Sequence, residues 1–395
     1  MNRPRQNLCG LEDYLAAHDG PFFDLQMQLG LLTRRRLQSG RRIVVFVALA
    51  WGVPLALSLF EGHAWSGSQA FLLDPRAWAK FFIAIAACIV AEQQVEANLR
   101  TRLAQFTWAP LITPESLGDV AEATAKAMRR RRSGVAEAIC LVLAAVAAGY
   151  TLVHLMGSGT TSWAAEVTPQ GVTPTLAGWW CIVFSVPLFW FLFLRGLWRH
   201  LILGLLLHDI ARLDLRLVAT HPDGRAGLAF IADYPSAFSI FVFGVAAFLA
   251  SGLVTGPGRP EIPASVFVAL AGTWLALVLI VFLLPLLSFT PPLTHLKMQT
   301  LRTTGPRATH FHRAAERRLL GHNVLADDDL ALDADQRGGD PSAEFLAAKK
   351  LSVTLVSGSA LVPVVVCALL PFAAAGADKL PFKEVLSIAK KLVVL

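Results

Sequence analysis

The sequence predicts an all-α fold: a polytopic integral membrane helical bundle of about seven transmembrane helices, with interfacial amphipathic helices beside it. Three observations predict it. Hydrophobic residues make up 55% of the 395-residue chain and charged residues only 16%, against roughly 45–50% and about 25% in soluble domains. The mean hydropathy is +0.54. The apolar residues gather into runs near the roughly 20 residues that a helix needs to cross a hydrocarbon core, and the basic residues gather between alternate runs.

Taken in order, Met1–Arg42 is polar and reads as a cytoplasmic amphipathic arm (residues 1–42). It does not fit a cleavable signal, because the long apolar run comes only after it. Ile43–Phe60 is the first span. Trp78–Glu96 is the second, with Glu92, Gln93, Gln94 and Glu96 crowding its end. Ala136–Met156 is the third. Gly178–Leu194 is the fourth and continues as an apolar-basic helix through Arg195, Arg199 and His200 to about Leu217. Ser236–Val254 and Ala264–Leu287 are the fifth and sixth, so residues 43–290 hold a bundle with helical extensions.

Residues 291–350 read as a cytoplasmic insertion. It opens on the helix break Pro291–Pro292, continues as a basic helix (His310, His312, Arg313, Arg317, Arg318), and then runs acidic from Asp327 to Asp335. Residues 351–395 supply the last span, Leu351–Gly376, in which Pro363 and Pro371 allow a kinked or re-entrant path. An amphipathic C-terminal helix follows, with Phe382, Val385, Leu386, Ala389, Leu392 and Val393 on one face.

Charge distribution sets polarity. The arm and alternate connections hold 28 of the 35 Lys and Arg residues, and the other side holds 7. Positive-inside bias then puts the N-terminus in the cytoplasm. Seven spans put the C-terminal tail outside, and a re-entrant last segment would return it. The net charge of +7 is accounted for by orientation and by anionic lipid at the cytoplasmic face; no zinc-finger spacing, RNP-like motif or separate basic domain points to nucleic acid. Cys9, Cys88, Cys140, Cys181 and Cys367 have no paired spacing, and four lie in apolar runs, which reads as core packing rather than disulfides or a metal site. No GxxxxGK[ST], GxSxG, HExxH or CxxC motif occurs, and no cofactor is implied.

Several residues remain as candidates for binding or permeation. Glu92, Glu96 and Arg100 fall on one helical stripe. Carboxylates at membrane depth usually face a bundle interior or a water cavity, so the stripe reads as an ion site or, more blandly, as a helix end paired at the headgroups. Glu137, just inside the third span, either answers arginines of another helix or favours its own helix dipole. Arg195 and Arg199 stack on one face, as do Arg212 and Arg216, with His200, His208, Asp209 and Asp214 nearby. Their spacing is not that of a voltage sensor. It leaves an anion or phospholipid-headgroup site, or snorkelling with local ion pairs. His221, Asp223 and Asp233 flank turn chemistry in Thr220-His221-Pro222-Asp223-Gly224; they read as a rigid connector or as part of an acid-base cluster with His200 or His208. Their irregular spacing is a weak metal signal.

One set of short stretches occurs in a fixed order. It runs through Gly20-Pro21-Phe22-Phe23, Leu29-Gly30-Leu31, Ala91-Glu92, Val95-Glu96, Gln105-Phe106, Pro187-Leu188-Phe189, Leu194-Arg195, Leu197-Trp198-Arg199, Arg212 to Leu217, His221-Pro222-Asp223, Pro285-Leu286-Leu287 and Leu380 to Glu384. Taken together it resembles an uncharacterised family of bacterial multi-pass inner-membrane proteins carrying a His-Pro-Asp-Gly-type loop before a transmembrane helix. The chain has Gly224-Arg225-Ala226-Gly227 where that family has a double glycine. The resemblance implies a bacterial inner-membrane location and no particular activity. Three functions fit the residues: an oligomeric channel or transporter for small ions, a non-enzymatic scaffold or signalling subunit, and an enzyme acting on a lipid or isoprenoid phosphate. A homo-oligomer fits each.

Overall fold

The computed structural model describes residues 11, 20–32, 37–65, 70–157, 159–254, 262–326 and 340–377. Seven helices in it are long and apolar enough to cross a membrane, and the protein is an all-α, multi-pass membrane protein. The amphipathic C-terminal helix, the acidic run from Asp327 and Cys9 lie outside the described residues.

A short helix, α1 (Pro21–Gln28), precedes the bundle. The spans are α2 (Ser39–Phe60), α3 (Pro75–Trp108), α5 (Gly134–Met156), α6 (Leu176–Ala211), α7 (Ala229–Ser251), α8 (Ala264–Leu287) and α11 (Gly358–Ala375). Between α3 and α5 lies α4 (Leu117–Arg131). Beyond α8 come α9 (Thr290–Leu320) and α10 (Ser342–Lys350).

The helix starts follow from capping chemistry. Asp74 accepts from the Arg76 amide at 3.1 Å, ahead of Pro75. Ser133 accepts from the Ala136 amide at 3.3 Å and Thr175 from the Gly178 amide at 3.0 Å. At Pro291 the chain breaks and restarts: α8 stops at Leu287 and α9 begins at Thr290 with proline in its first turn, where its missing N–H costs nothing. At about 1.5 Å per residue, the 31 residues of α9 reach about 46 Å. Helix α10 packs back along it, with His312 Nε2 2.7 Å from Ser342 Oγ.

Several boundaries differ from the sequence expectation: α2 begins four residues before Ile43, and α7 runs from Ala229 to Ser251 rather than from Ser236 to Val254. α3 continues twelve residues past Glu96, to Trp108. α6 ends at Ala211 rather than near Leu217, because the chain beyond it pairs elsewhere: Leu215 bridges Ile112, and the Arg216 amide donates to the Leu111 carbonyl at 2.7 Å. Residues 351–357 are non-helical, so the last span begins at Gly358; Pro363 and Pro371 sit inside it without ending it. The connection before α6 also holds a hairpin that was not anticipated, β1 (Ala165–Thr168) antiparallel to β2 (Gly171–Pro174), with Thr168 opposite Gly171. It marks one end of the bundle as the hairpin end. The other, where α2, α5 and α9 begin and α3, α6 and α8 finish, is the basic end.

Helix α7 is the central one, with 72% of its apolar window buried, whereas α5 has 17% and α8 22%. Glycine lets α7 come close: a Cβ on Gly244 would stand 2.6 Å from Ala87 Cβ and 3.3 Å from Ala84 Cα of α3. Faces as apolar and as open as those of α5 and α8 suit hydrocarbon as their solvent. Of the described cysteines, Cys88, Cys140 and Cys181 are buried and free.

Candidate functional site

Near the basic end, four helices bring ionised side chains together in the interior. Glu92 of α3 accepts from Arg42 Nη2 of α2 at 2.5 Å, and from Arg195 Nη1 and Arg199 Nη1 of α6 at 2.5 and 3.2 Å. The four-residue spacing of Arg195 and Arg199 places both guanidiniums on the face that meets α3. Arg195 turns its Nε to Glu137 Oε1 of α5 at 2.9 Å. Glu137 Oε2 accepts the Phe22 amide at 2.8 Å, at the N-terminus of α1. Arg42 Nε donates to Gln26 Oε1 at 2.6 Å, and Gln26 Nε2 donates back to the Phe22 carbonyl at 3.2 Å. The Arg195 guanidinium lies 5.1 Å from the Phe22 ring centroid.

Among the described residues, three guanidiniums thus share two carboxylates. The Arg42 and Arg195 side chains are 1% and 2% exposed. Burial to that degree excludes snorkelling to the headgroups, and charges so placed are tolerated only when closely paired. Arg42 Nη1 is buried with no hydrogen-bond partner among the described residues. A cavity of about 40 Å³ lies against the network, bordered by Cys88, Glu92, Leu99, Gly196, Arg199 and Phe241. It is large enough for water, which needs about 10–15 Å³ on the same measure.

Toward the hairpin end the interior is aromatic. Lys80 Nζ sits 5.4–5.6 Å from the ring centroids of Phe81, Phe189 and Phe248. From there Phe189 stacks on Phe193 at 6.4 Å, Phe193 on Phe241 at 5.9 Å, and Phe241 borders the cavity. Twelve residues of α3 separate Lys80 from Glu92, about 18 Å along its axis. Three spans also carry π-helical segments, at Ala48–Gly52, Trp78–Ala84 and Cys181–Ser185, and the first packs on the other two. Side chains of α6 serve carbonyls there: Trp180 Nε1 donates to Leu49 and Ser185 Oγ to Ala50, each at 2.8 Å. Such segments break the i→i−4 ladder and recur at functional sites.

The structure therefore joins Glu92, Glu137, Arg195 and Arg199 among the candidates. Glu96 follows one turn on, half-buried, and Arg100 is exposed. His200 is buried apart from them, its Nε2 donating to the Val281 carbonyl at 3.1 Å among Tyr234, Phe238 and Phe282. Asp209 is half-buried in the last turn of α6. Asp233 lies 3.6 Å from Arg102. The described residues bring no three metal-capable side chains together. Missed by sequence reasoning were Arg42, counted only as a flanking charge, Lys80, counted likewise, and Phe22 and Gln26 of the arm.

Asp223 builds a connector. Its carboxylate accepts the amides of Arg225, Gly227 and Ala229 at 2.8, 3.1 and 3.1 Å, and His221 Nδ1 is 2.8 Å from Oδ1. Partial burial pushes its pKa up, but the three amides and His221 outweigh this and hold it below the usual 3.8. A depressed folded-state value contributes stability that is present above the unfolded pKa and lost as pH falls through the folded one. Asp223→Asn is accordingly expected to lower stability by about 1–3 kcal/mol at neutral pH. The deficit should shrink below about pH 4, as read from thermal unfolding in detergent across a pH series.

No family model, curated protein or solved structure matches this chain.

Proposed function

We propose that this protein is a channel or transporter for small anions in a bacterial inner membrane, with its N-terminus in the cytoplasm and its basic end facing the cytosol. The observation that carries the reading is the line of side chains through the bundle: Lys80 among aromatic rings toward one end, Arg199 beside a small cavity toward the other, and Phe189, Phe193 and Phe241 between them. Arg and Lys at both ends favour anions, and an apolar constriction gates by excluding water. The cavity is only about 40 Å³, and the Glu92 pairs are the contacts that a conducting state would exchange for the anion. Assembly as a homo-oligomer belongs to the same proposal and is checked by mass measurement in nanodiscs.

The test is halide flux from proteoliposomes. Wild-type protein should release chloride faster than potassium. Lys80→Met should slow release about tenfold and Phe193→Ala should speed it by a similar factor, each equivalent to about 1.4 kcal/mol in the barrier. Absence of flux for both cations and anions would sink the proposal.

A scaffold role keeps one observation in its favour, the long α9 with α10 packed along it, which leaves Leu319, Leu320 and Leu325 exposed at the tip. Deleting residues 306–350 would separate the two readings, since a scaffold loses its partner while flux survives. The lipid-phosphate enzyme reading loses support, because Asp223 is committed to three backbone amides.

A further inference from the structure

A second space in the molecule is far larger and lies apart from the Glu92 network. It is a groove of about 1410 Å³ between α5 and α8, floored by α6 and open on its outer side. Ile139 and Leu143 form one wall, Val281 and Leu284 the other, and Leu197 and Leu201 the floor. Gly204 keeps the floor close to α8, since a Cβ there would stand 3.2 Å from Pro285 Cγ. The volume exceeds the roughly 300–1,000 Å³ of sites for compact small molecules, and the lining is overwhelmingly aliphatic. From Val135 to Leu143 the wall runs about 12 Å, and one leaflet of hydrocarbon is about 15 Å deep.

The groove is not uniform. At the basic end it reaches Arg130 and Arg212, with Ser133, His208 and Ser288 beside them, and no Asp or Glu among the described residues lines it. His208 Nδ1 and Ser288 Oγ are 3.2 Å apart. An aliphatic slot close to one leaflet deep, closed at its polar end by two arginines, with no carboxylate among the described residues, has the charge pattern of one ligand class.

We infer that the groove holds an anionic phospholipid of the leaflet at the basic end, its chains along α6 and its phosphate at Arg130 and Arg212. The inference does not rest on the transport reading, and a protein that conducts nothing would still bind the lipid.

Trp198 lines the groove and reports on it. The protein is reconstituted into vesicles of phosphatidylcholine with added phosphatidylglycerol, the chains of one or the other lipid being brominated to quench nearby tryptophan. The chain has 10 tryptophans, so the Trp198 signal is taken as the difference between wild type and Trp198→Phe. Brominated phosphatidylglycerol should quench it at a lower mole fraction than brominated phosphatidylcholine. Arg130→Gln and Arg212→Gln should each weaken that preference about fivefold, the worth of one basic side chain at an anionic surface. Arg212 is exposed and Arg130 half-buried, and unchanged quenching by phosphatidylcholine in the variants certifies that the groove is intact. Equal quenching by the two lipids in wild type would overturn the inference, as would a preference indifferent to both arginines. So would quenching by neither lipid together with disulfide cross-linking through Leu284→Cys, which would put a second copy of the chain in the groove.

Discussion

Replacing Glu92 with alanine is expected to destabilise the bundle by about 3–5 kcal/mol, the usual cost of removing one partner from a buried ion pair and leaving the other behind. Here three partners are left. Arg42, Arg195 and Arg199 come from two different helices and meet at this one carboxylate. Without it they repel one another in a setting of low polarity. Glu92→Gln keeps the shape and one accepting oxygen but neither the second acceptor nor the charge, and should fall between wild type and alanine. The check is thermal unfolding in detergent, extended to a double-substitution cycle. Arg42→Met in the Glu92→Ala background should restore part of the loss, since it removes one stranded cation, whereas independent sites would add. A loss under about 1 kcal/mol for Glu92→Ala would mean that water reaches these charges.

Replacing Glu137 with alanine is expected to act locally and to free α1 from the bundle. The Glu137 carboxylate holds both the Phe22 amide and Arg195, and Gly20 packs so closely that a Cβ there would come within 2.7 Å of Glu137 Oε1. A hydrogen bond to a charged group is worth about 1.5–3 kcal/mol. Hydrogen exchange at the Phe22 amide should therefore accelerate by roughly ten- to a hundredfold. Global stability should fall less than for Glu92→Ala, because Arg195 keeps its second carboxylate. Exchange at α1 unchanged from wild type would show that Arg42–Gln26 and the Phe22 contacts suffice to dock it.

What the sequence disclosed and what it withheld divide along a physical line. A span is a local property, set by about 20 neighbouring residues, so all seven were readable from composition alone, and α8 matched to the residue at both ends. Glu92, Glu137, Arg195 and Arg199 were readable one by one, because a charge beside an apolar run is conspicuous. Their pairing was not. The bonds of the network join residues 50, 58, 103 and 107 positions apart, and no spacing rule reaches across helices. Arg42 and Lys80 were hidden for the opposite reason: each sits where a flanking charge is expected, and only the fold shows Arg42 buried and Lys80 half-buried among aromatic rings. The early end of α6 was equally non-local, since Leu215 is drawn away by Ile112, which lies between α3 and α4. The hairpin was short and set in a polar connection, where the alternation Glu166-Val167-Thr168 and Val172-Thr173 is weak but present.

The three π segments have a mechanical consequence. A turn with i→i+5 bonding holds one residue more than the α geometry on either side, so it behaves as a dislocation in an otherwise regular screw. Displacing such a defect by one position rolls the residue it passes through about 100° about the axis, one step of a 3.6-residue turn, while both helix ends stay where they are. The segment Trp78–Ala84 contains Lys80. A bundle pinned at the basic end by ion pairs, and at the other by hairpin and caps, can thus swing the half-buried Lys80 ammonium in place, with no rod sliding through the bilayer.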